Sequence, residues 1–248
     1  MSSTNYLKVD NLSKIYYSLL GETLALNNIS FDIKKGEFIG IIGPSGCGKS
    51  SILNILSGFD KEYKGKIKCD KNIKIAYMLQ EDALFPWLTI IDNVLLGLKI
   101  NKKLTKENKN YALQLLKKYG LFEFKDKYPS SLSGGMKQRV ALIRTLSMHP
   151  DILLLDEPFS ALDYQTRLKV SDDVFKIIKE EKKTVIIVTH DISEAISMCD
   201  RIIVLSKRPA KIKNIHNIDL SIKSTPINNR QSTNFSNYYK DIWEEMEK

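Results

Sequence analysis

The chain has 248 residues, 43% hydrophobic and 27% charged, with a formal net charge of +9. That length makes one large domain, or one domain with a sizeable subdomain, and buries a core without staples. The composition excludes a disordered chain, and apolar runs no longer than stretches such as Ile152–Leu155 and Val185–Val188 exclude a membrane-spanning helix. Met1–Asp10 is polar and lacks the apolar stretch of a secretory signal. Val9–Ile33 alternates apolar and polar residues and breaks at Gly21 and Asn27-Asn28, which predicts an antiparallel hairpin or meander. Glu37–Ile42 reads as a buried strand, and Ser50–Ser57 as a helix closed by Gly58. Lys64–Leu79 holds two short strand-like stretches.

From about Glu81 to Pro150 the pattern turns helical. Thr105 caps a helix carrying Ala112, Leu115, Leu116 and Tyr119, and Ser133 caps a second one carrying Val140, Ile143 and Leu146. Beyond Pro150 apolar strands alternate with amphipathic helices: strand Ile152–Leu155, helix Asp163–Glu180, strand Val185–Thr189, helix Ile192–Met198, strand Arg201–Leu205. This is the pattern of parallel β/α units covered on both faces. The last forty or so residues are polar and Asn-rich, with a terminal helix expected over Tyr238–Lys248. Cys47, Cys69 and Cys199 form no CxxC pair, so a reducing, cytosolic setting is expected.

The phosphate chemistry sits early. Gly43-Pro44-Ser45-Gly46-Cys47-Gly48-Lys49-Ser50-Ser51 matches G-x-x-x-x-G-K-[ST] between a predicted strand and a predicted helix. The glycines let the backbone wrap a phosphate chain, and the N–H groups and the helix dipole converge on it. Lys49 suits β- and γ-phosphate oxygens, and the Ser50 hydroxyl suits Mg²⁺. Cys47 reads as a small filler rather than a nucleophile. The strand Ile152–Leu155 ends in Asp156-Glu157, where ligands sit in such sheets. Asp156 can hold a Mg²⁺ shell through water, and Glu157 can polarise an attacking water.

Leu132-Ser133-Gly134-Gly135-Met136-Lys137-Gln138-Arg139 resembles the LSGGQ signature of ATP-binding cassette (ABC) ATPases, with Met136 where Gln is commonest. Around it, in family order, stand Tyr16, the phosphate loop, Gln80, the acidic strand end, Ser160-Ala161-Leu162-Asp163 and His190. The resemblance covers about residues 7–208. It implies an α/β P-loop NTPase: a RecA-like parallel-sheet core, an antiparallel β subdomain and an α-helical subdomain inserted over about 81–150. The nucleotide-binding domain would span 1–208, followed by a tail over 209–248.

The roles implied are specific. Tyr16, or its neighbour Tyr17, would stack on adenine, unless either simply fills core. The phosphate loop from Gly43 to Ser51 would bind ATP, with Lys49, Glu157 and His190 catalytic and Ser50, Gln80 and Asp156 around Mg²⁺. Ser133, Gly134 and Gly135 would contact the nucleotide held by the opposite protomer of a head-to-tail homodimer, and Asp163 would touch that partner. The segment Gln80–Val94, with its Leu84-Phe85-Pro86-Trp87, and the segment Asp200–Ile212 resemble the nitrate/sulfonate/taurine importer branch. Phe85, Pro86 and Trp87 are either subdomain core or a groove for a permease subunit.

The resemblance therefore implies an importer ATPase at the cytoplasmic face of the membrane, working with separate permease subunits and, indirectly, an extracytoplasmic solute-binding protein. The competing class is a soluble ABC ATPase in a non-transport or nucleic-acid role. The surplus charge lies in Lys99–Lys127 and in the tail, and the rest of the chain is balanced. No nucleic-acid partner is expected on that ground. In the implied assembly the Lys-rich helical subdomain faces anionic lipid, with a solvated helix face as the plainer alternative.

Overall fold

The computed structural model of the protein describes residues 6–19, 21–80 and 82–247. Residues 1–5 of the polar start, and Glu81, where the helical subdomain is expected to open, lie outside the described residues.

Alternation builds the first sheet. Strands β1 (Leu7–Ser18) and β2 (Gly21–Ile33) pair antiparallel and turn Leu7, Val9, Leu12, Leu26 and Ile29 inward. Their register slips around Asn11, whose φ is 52°, as at a β-bulge. Strand β3 (Phe38–Ile42) and helix α1 (Lys49–Leu56) follow. The two strands between Lys64 and Leu79 then part company. Strand β4 (Lys64–Cys69) joins β1, whereas β5 (Ile75–Met78) belongs to the second sheet.

Three capped helices come next. Thr89 caps α2 (Ile90–Ile100), Thr105 caps α3 (Lys106–Lys118) and Ser133 caps α4 (Gly134–Leu146), each accepting a backbone N–H on its side-chain oxygen. They share a core of Val94, Leu98, Leu115, Leu116, Leu142 and Leu146. Strand β6 (Ile152–Asp156), helix α5 (Tyr164–Glu180), strand β7 (Thr184–Thr189), helix α6 (Ile192–Met198) and strand β8 (Arg201–Leu205) complete the β/α alternation.

The second sheet runs in the order β5-β6-β7-β3-β8-β9, where β9 is Ile212–Asn217. All neighbours are parallel except β8 and β9. Its inner strands are apolar on both sides because both sides are covered. Leu153, Leu155, Val185 and Ile187 pack toward the helices. Ile152, Leu154, Ile186 and Val188 pack toward α1 and the antiparallel sheet.

The expected boundary at 208 falls inside this sheet, because β9 extends it beyond β8. Helices α7 (Pro226–Asn229) and α8 (Phe235–Glu247) then lie on the core, with Leu220 and Ile242 buried in it. Glu245 of α8 is tied to β9 by Asn214 Nδ2 at 2.8 Å, His216 Nε2 at 3.0 Å and the Lys213 ammonium on its carbonyl at 2.7 Å.

Candidate nucleotide site

Four adjacent strands, β5, β6, β7 and β3, end on the same side of the sheet. Met78 lies beside Leu155, Asp156 beside Val188, and Ile42 beside Thr189. The residues that follow these ends are Gln80, Glu157, His190 and the phosphate loop. Parallel register thus gathers side chains more than a hundred residues apart in sequence.

The loop from Gly43 to Gly48 leaves β3 and delivers Lys49 and Ser50 at the first turn of α1. Gly48 has φ 122° and its missing Cβ would sit 2.8 Å from Leu26 Cδ2, so glycine is required there. Lys49 is buried, and its ammonium donates to the carbonyls of Gly43 at 2.9 Å and Pro44 at 3.2 Å. The Cys47 thiol is 1% exposed and burial pushes its pKa up, which fits the filler reading. Ser45 and Gly46 are exposed at the tip. Tyr16 OH donates to Ser51 Oγ at 3.0 Å, so Tyr16 is the aromatic that reaches the loop, while Tyr17 points away at 71% exposed.

The acidic end is equally well tied. Ser50 Oγ donates to Asp156 Oδ1 at 3.1 Å, and Tyr77 OH donates to Asp156 Oδ2 at 2.7 Å. Burial, and then the neighbouring Asp156, raise the Tyr77 hydroxyl far above its ordinary value, so it stays a donor. Glu157 has φ 43°, and its N–H donates to the Val188 carbonyl at 2.8 Å. That left-handed turn swings its carboxylate to His190, with Oε2 3.0 Å from Nδ1. Gln80 does not reach Ser50 or Asp156; its Nε2 donates to Ser160 Oγ at 3.4 Å, and that hydroxyl donates to the Glu157 carbonyl at 3.0 Å.

These donors fit Mg²⁺. Ser50 and Asp156 are hard oxygen ligands side by side, and Mg²⁺ is ordinarily shared between one or two carboxylates and substrate phosphates. Among the described residues no cluster of three His, Cys, Asp or Glu forms an all-protein cage.

The signature stands apart. Ser133 caps α4 by accepting from the Met136 N–H at 3.4 Å, and Ser133 and Gly134 are exposed. Gly135 is buried; a Cβ on it would lie 2.6 Å from Val170 Cγ2, so it also lets α4 approach α5. Among the described residues no hydrogen bond joins Ser133, Gly134 or Gly135 to the phosphate loop or the acidic strand end. Asp163 is exposed and caps α5, accepting from the Thr166 N–H at 3.1 Å; the Thr166 hydroxyl first, and then this N–H, hold its carboxyl below the usual range.

The core reading of Phe85, Pro86 and Trp87 fails. All three are exposed, with Phe85 at 38% and Trp87 at 69%, their rings 5.2 Å apart, while Leu84 is the residue that turns inward. Asn93, fully buried, fixes this platform: its Oδ1 accepts from the Phe85 N–H and its Nδ2 donates to the carbonyls of Phe85, Leu88 and Thr89. From α4, Arg144 donates to the carbonyls of Asp82 and Ala83, both at 2.7 Å.

Three contributors were not apparent from the motifs. Tyr77 sits beside Leu154 on the neighbouring strand, a register no motif encodes. Asn93 looks like an ordinary polar residue of a helix. Arg208 returns to the phosphate loop, where its Nε donates to the Gly46 carbonyl at 3.1 Å. The only available signal for it is its place just past a strand that borders β3.

A P-loop, an acidic strand end and a strand-end histidine on one sheet edge, with a separate Ser-Gly-Gly helix start, define an ATP-binding cassette. The ABC transporter family profile matches residues 26–160. A relative from Bacillus subtilis, described as the uncharacterized ABC transporter ATP-binding protein YtlC, is 46% identical over 98% of this chain and 96% of its own. The aliphatic sulfonates import ATP-binding protein SsuB of Bacillus cereus is 39% identical over 84% of each chain. Among solved structures, the ATP-binding cassette MJ0796, dimeric in a post-hydrolysis state with ADP and Pi, superposes with a TM-score of 0.72 at 35% identity, covering 86% of this chain and 99% of that one. The chain belongs to the ABC transporter ATP-binding family. The sulfonate importer relative supports the nitrate/sulfonate/taurine branch.

Proposed function

We propose that this chain is the ATP-hydrolysing subunit of a membrane ABC importer, working as a homodimer on the cytoplasmic face and powering uptake of a small solute through separate permease subunits. One observation carries the reading. The phosphate loop, Asp156, Glu157 and His190 meet on one sheet edge, while the signature start stays apart, with Ser133 and Gly134 exposed. A site split this way is completed by a second copy in a head-to-tail pair.

The chemistry follows from the side chains. Backbone N–H groups of Gly46–Ser50 and the Lys49 ammonium take the phosphate chain of ATP, and Tyr16 stacks on the adenine. Lys49 exchanges the loop carbonyls for phosphate oxygens. Ser50 and Asp156 would hold Mg²⁺, which when bound neutralises charge on the phosphates. Glu157 accepts the hydrogen bond of the attacking water, and His190, 3.0 Å from its carboxylate, orients that water and the terminal phosphate. Gln80 and Ser160 link this site to the backbone that leads into the Phe85–Trp87 platform. Closure of two copies then moves the platform and the permeases seated on it. The solute is nitrate-, sulfonate- or taurine-like, or a vitamin precursor, the range that the resemblance to this importer branch implies; the sulfonate relative supports the sulfonate option. A solute-binding protein would deliver it outside.

Co-expression with candidate permease subunits tests the reading. The chain should co-purify with permease, and Glu157→Gln should abolish turnover yet trap ATP in a dimer detected by size-exclusion chromatography. An active chain that never associates with permease would favour the soluble, non-transport alternative.

A further inference from the structure

The turn between α2 and α3 carries a cluster of unpaired cations. Lys102, Lys103 and Lys106 are all exposed and make no ion pair among the described residues, and Lys109 stands one turn further along α3. Between them project two aliphatic side chains, Ile100 at 71% and Leu104 at 42% exposed.

The turn is built to present them. Lys102 has φ 53°, and the Lys103 N–H returns to the Leu98 carbonyl at 2.8 Å. Asn101 Nδ2 donates to the Gly97 carbonyl at 2.9 Å, and Asn108 Nδ2 donates to the Lys103 carbonyl at 2.7 Å. Every bond fixes backbone, and none turns the two apolar side chains inward. Exposed aliphatics among lysines, with Glu107 the one acidic residue between Lys102 and Lys109, match headgroup phosphates above an acyl boundary.

We infer that this turn docks on an anionic lipid surface, with Ile100 and Leu104 dipping into the headgroup region and the lysines on lipid phosphates. Lipid fits better than nucleic acid. The turn offers no aromatic ring to stack on a base, and its cations are all lysines, point charges without the planar fork that reads bases. Strand β4 is also Lys-rich, with exposed Lys64 and Lys66, but Lys68 is paired to Asp10 and no large apolar side chain of β4 is exposed. The inference rests on the chain working at a membrane, yet the test needs no permease. Its failure would leave the ATPase reading standing.

The assay is co-sedimentation of the purified full-length chain with vesicles of phosphatidylcholine alone or mixed with phosphatidylglycerol. Binding should require the anionic lipid. A lysine near such a surface contributes about fivefold in partitioning (about 1 kcal/mol), so Lys102→Glu with Lys103→Glu should lower binding by at least about twentyfivefold. Ile100→Ser with Leu104→Ser leaves charge unchanged and should still lower it about tenfold. Lys64→Glu with Lys66→Glu should leave most binding intact. Retained nucleotide affinity shows that each variant is folded. Equal loss in the β4 variant, no loss in the Ile100/Leu104 variant, or binding to duplex DNA in preference to the vesicles would each overturn the inference.

Discussion

Glu194 of α6 offers a quantitative test of how a buried carboxyl couples stability to pH. It is 3% exposed, and its Oε1 has no hydrogen-bond partner among the described residues. Burial first, and then the neighbouring Asp191, raise its pKa to about 8, against the opposing pull of Arg167, Thr189 and Arg230. The carboxyl is therefore largely protonated at neutral pH. In the unfolded chain the same group ionises near 4.5. The folded value is the higher one, so the unfolded state binds fewer protons between the two values. Stability from this group is complete below about pH 4.5 and is lost as pH rises to about 8. At about 1.4 kcal/mol per unit, the loss approaches 5 kcal/mol, of which about 3 kcal/mol falls between pH 5.5 and pH 8. Glu194→Gln keeps the shape and removes the titration. Urea unfolding of both proteins across that range should show the variant gaining relative to the parent as pH rises. Parallel stability curves would refute a buried, neutral Glu194.

Tyr77→Phe removes one of the two donors on Asp156 and should cost about 1–3 kcal/mol in denaturant unfolding. It should also weaken ATP hydrolysis at limiting Mg²⁺ more than at saturating Mg²⁺, which a magnesium titration of the rate checks. Trp87→Ala should leave nucleotide affinity near normal, because the ring is exposed and packs on Phe85. Co-purification with permease should fall at least about tenfold, consistent with a central aromatic anchor. Normal assembly would remove the platform from the interface.

The parts of the fold legible in sequence were those with a local cause. Thr105 and Ser133 cap helices because a short polar side chain at a chain turn is a local signal. The phosphate loop and the acidic strand end are contiguous motifs. Helix α2 was harder. Ile90–Ile100 is apolar around most of its circumference, so periodicity marks no face, and its cap Thr89 is hidden in a family segment. Strand β9 is half exposed, and only its ladder to β8 makes it a strand. The direction of Phe85 and Trp87 was open for a related reason: hydrophobicity gives no sign of whether a ring faces core or solvent. Asn93 and Arg144 decide it, and both act on backbone carbonyls that no sequence pattern names.

The clamp on Glu245 has a practical consequence. A motif-based truncation after residue 208 would strip β9 and α8 from the sheet. Strand β8, with Ile202, Ile203, Val204 and Leu205 all buried, would become an unprotected edge of bare N–H and C=O groups. Apolar edges of that kind recruit further strands and aggregate. A fragment cut to the recognisable motifs would keep every catalytic side chain and still be the wrong protein to purify.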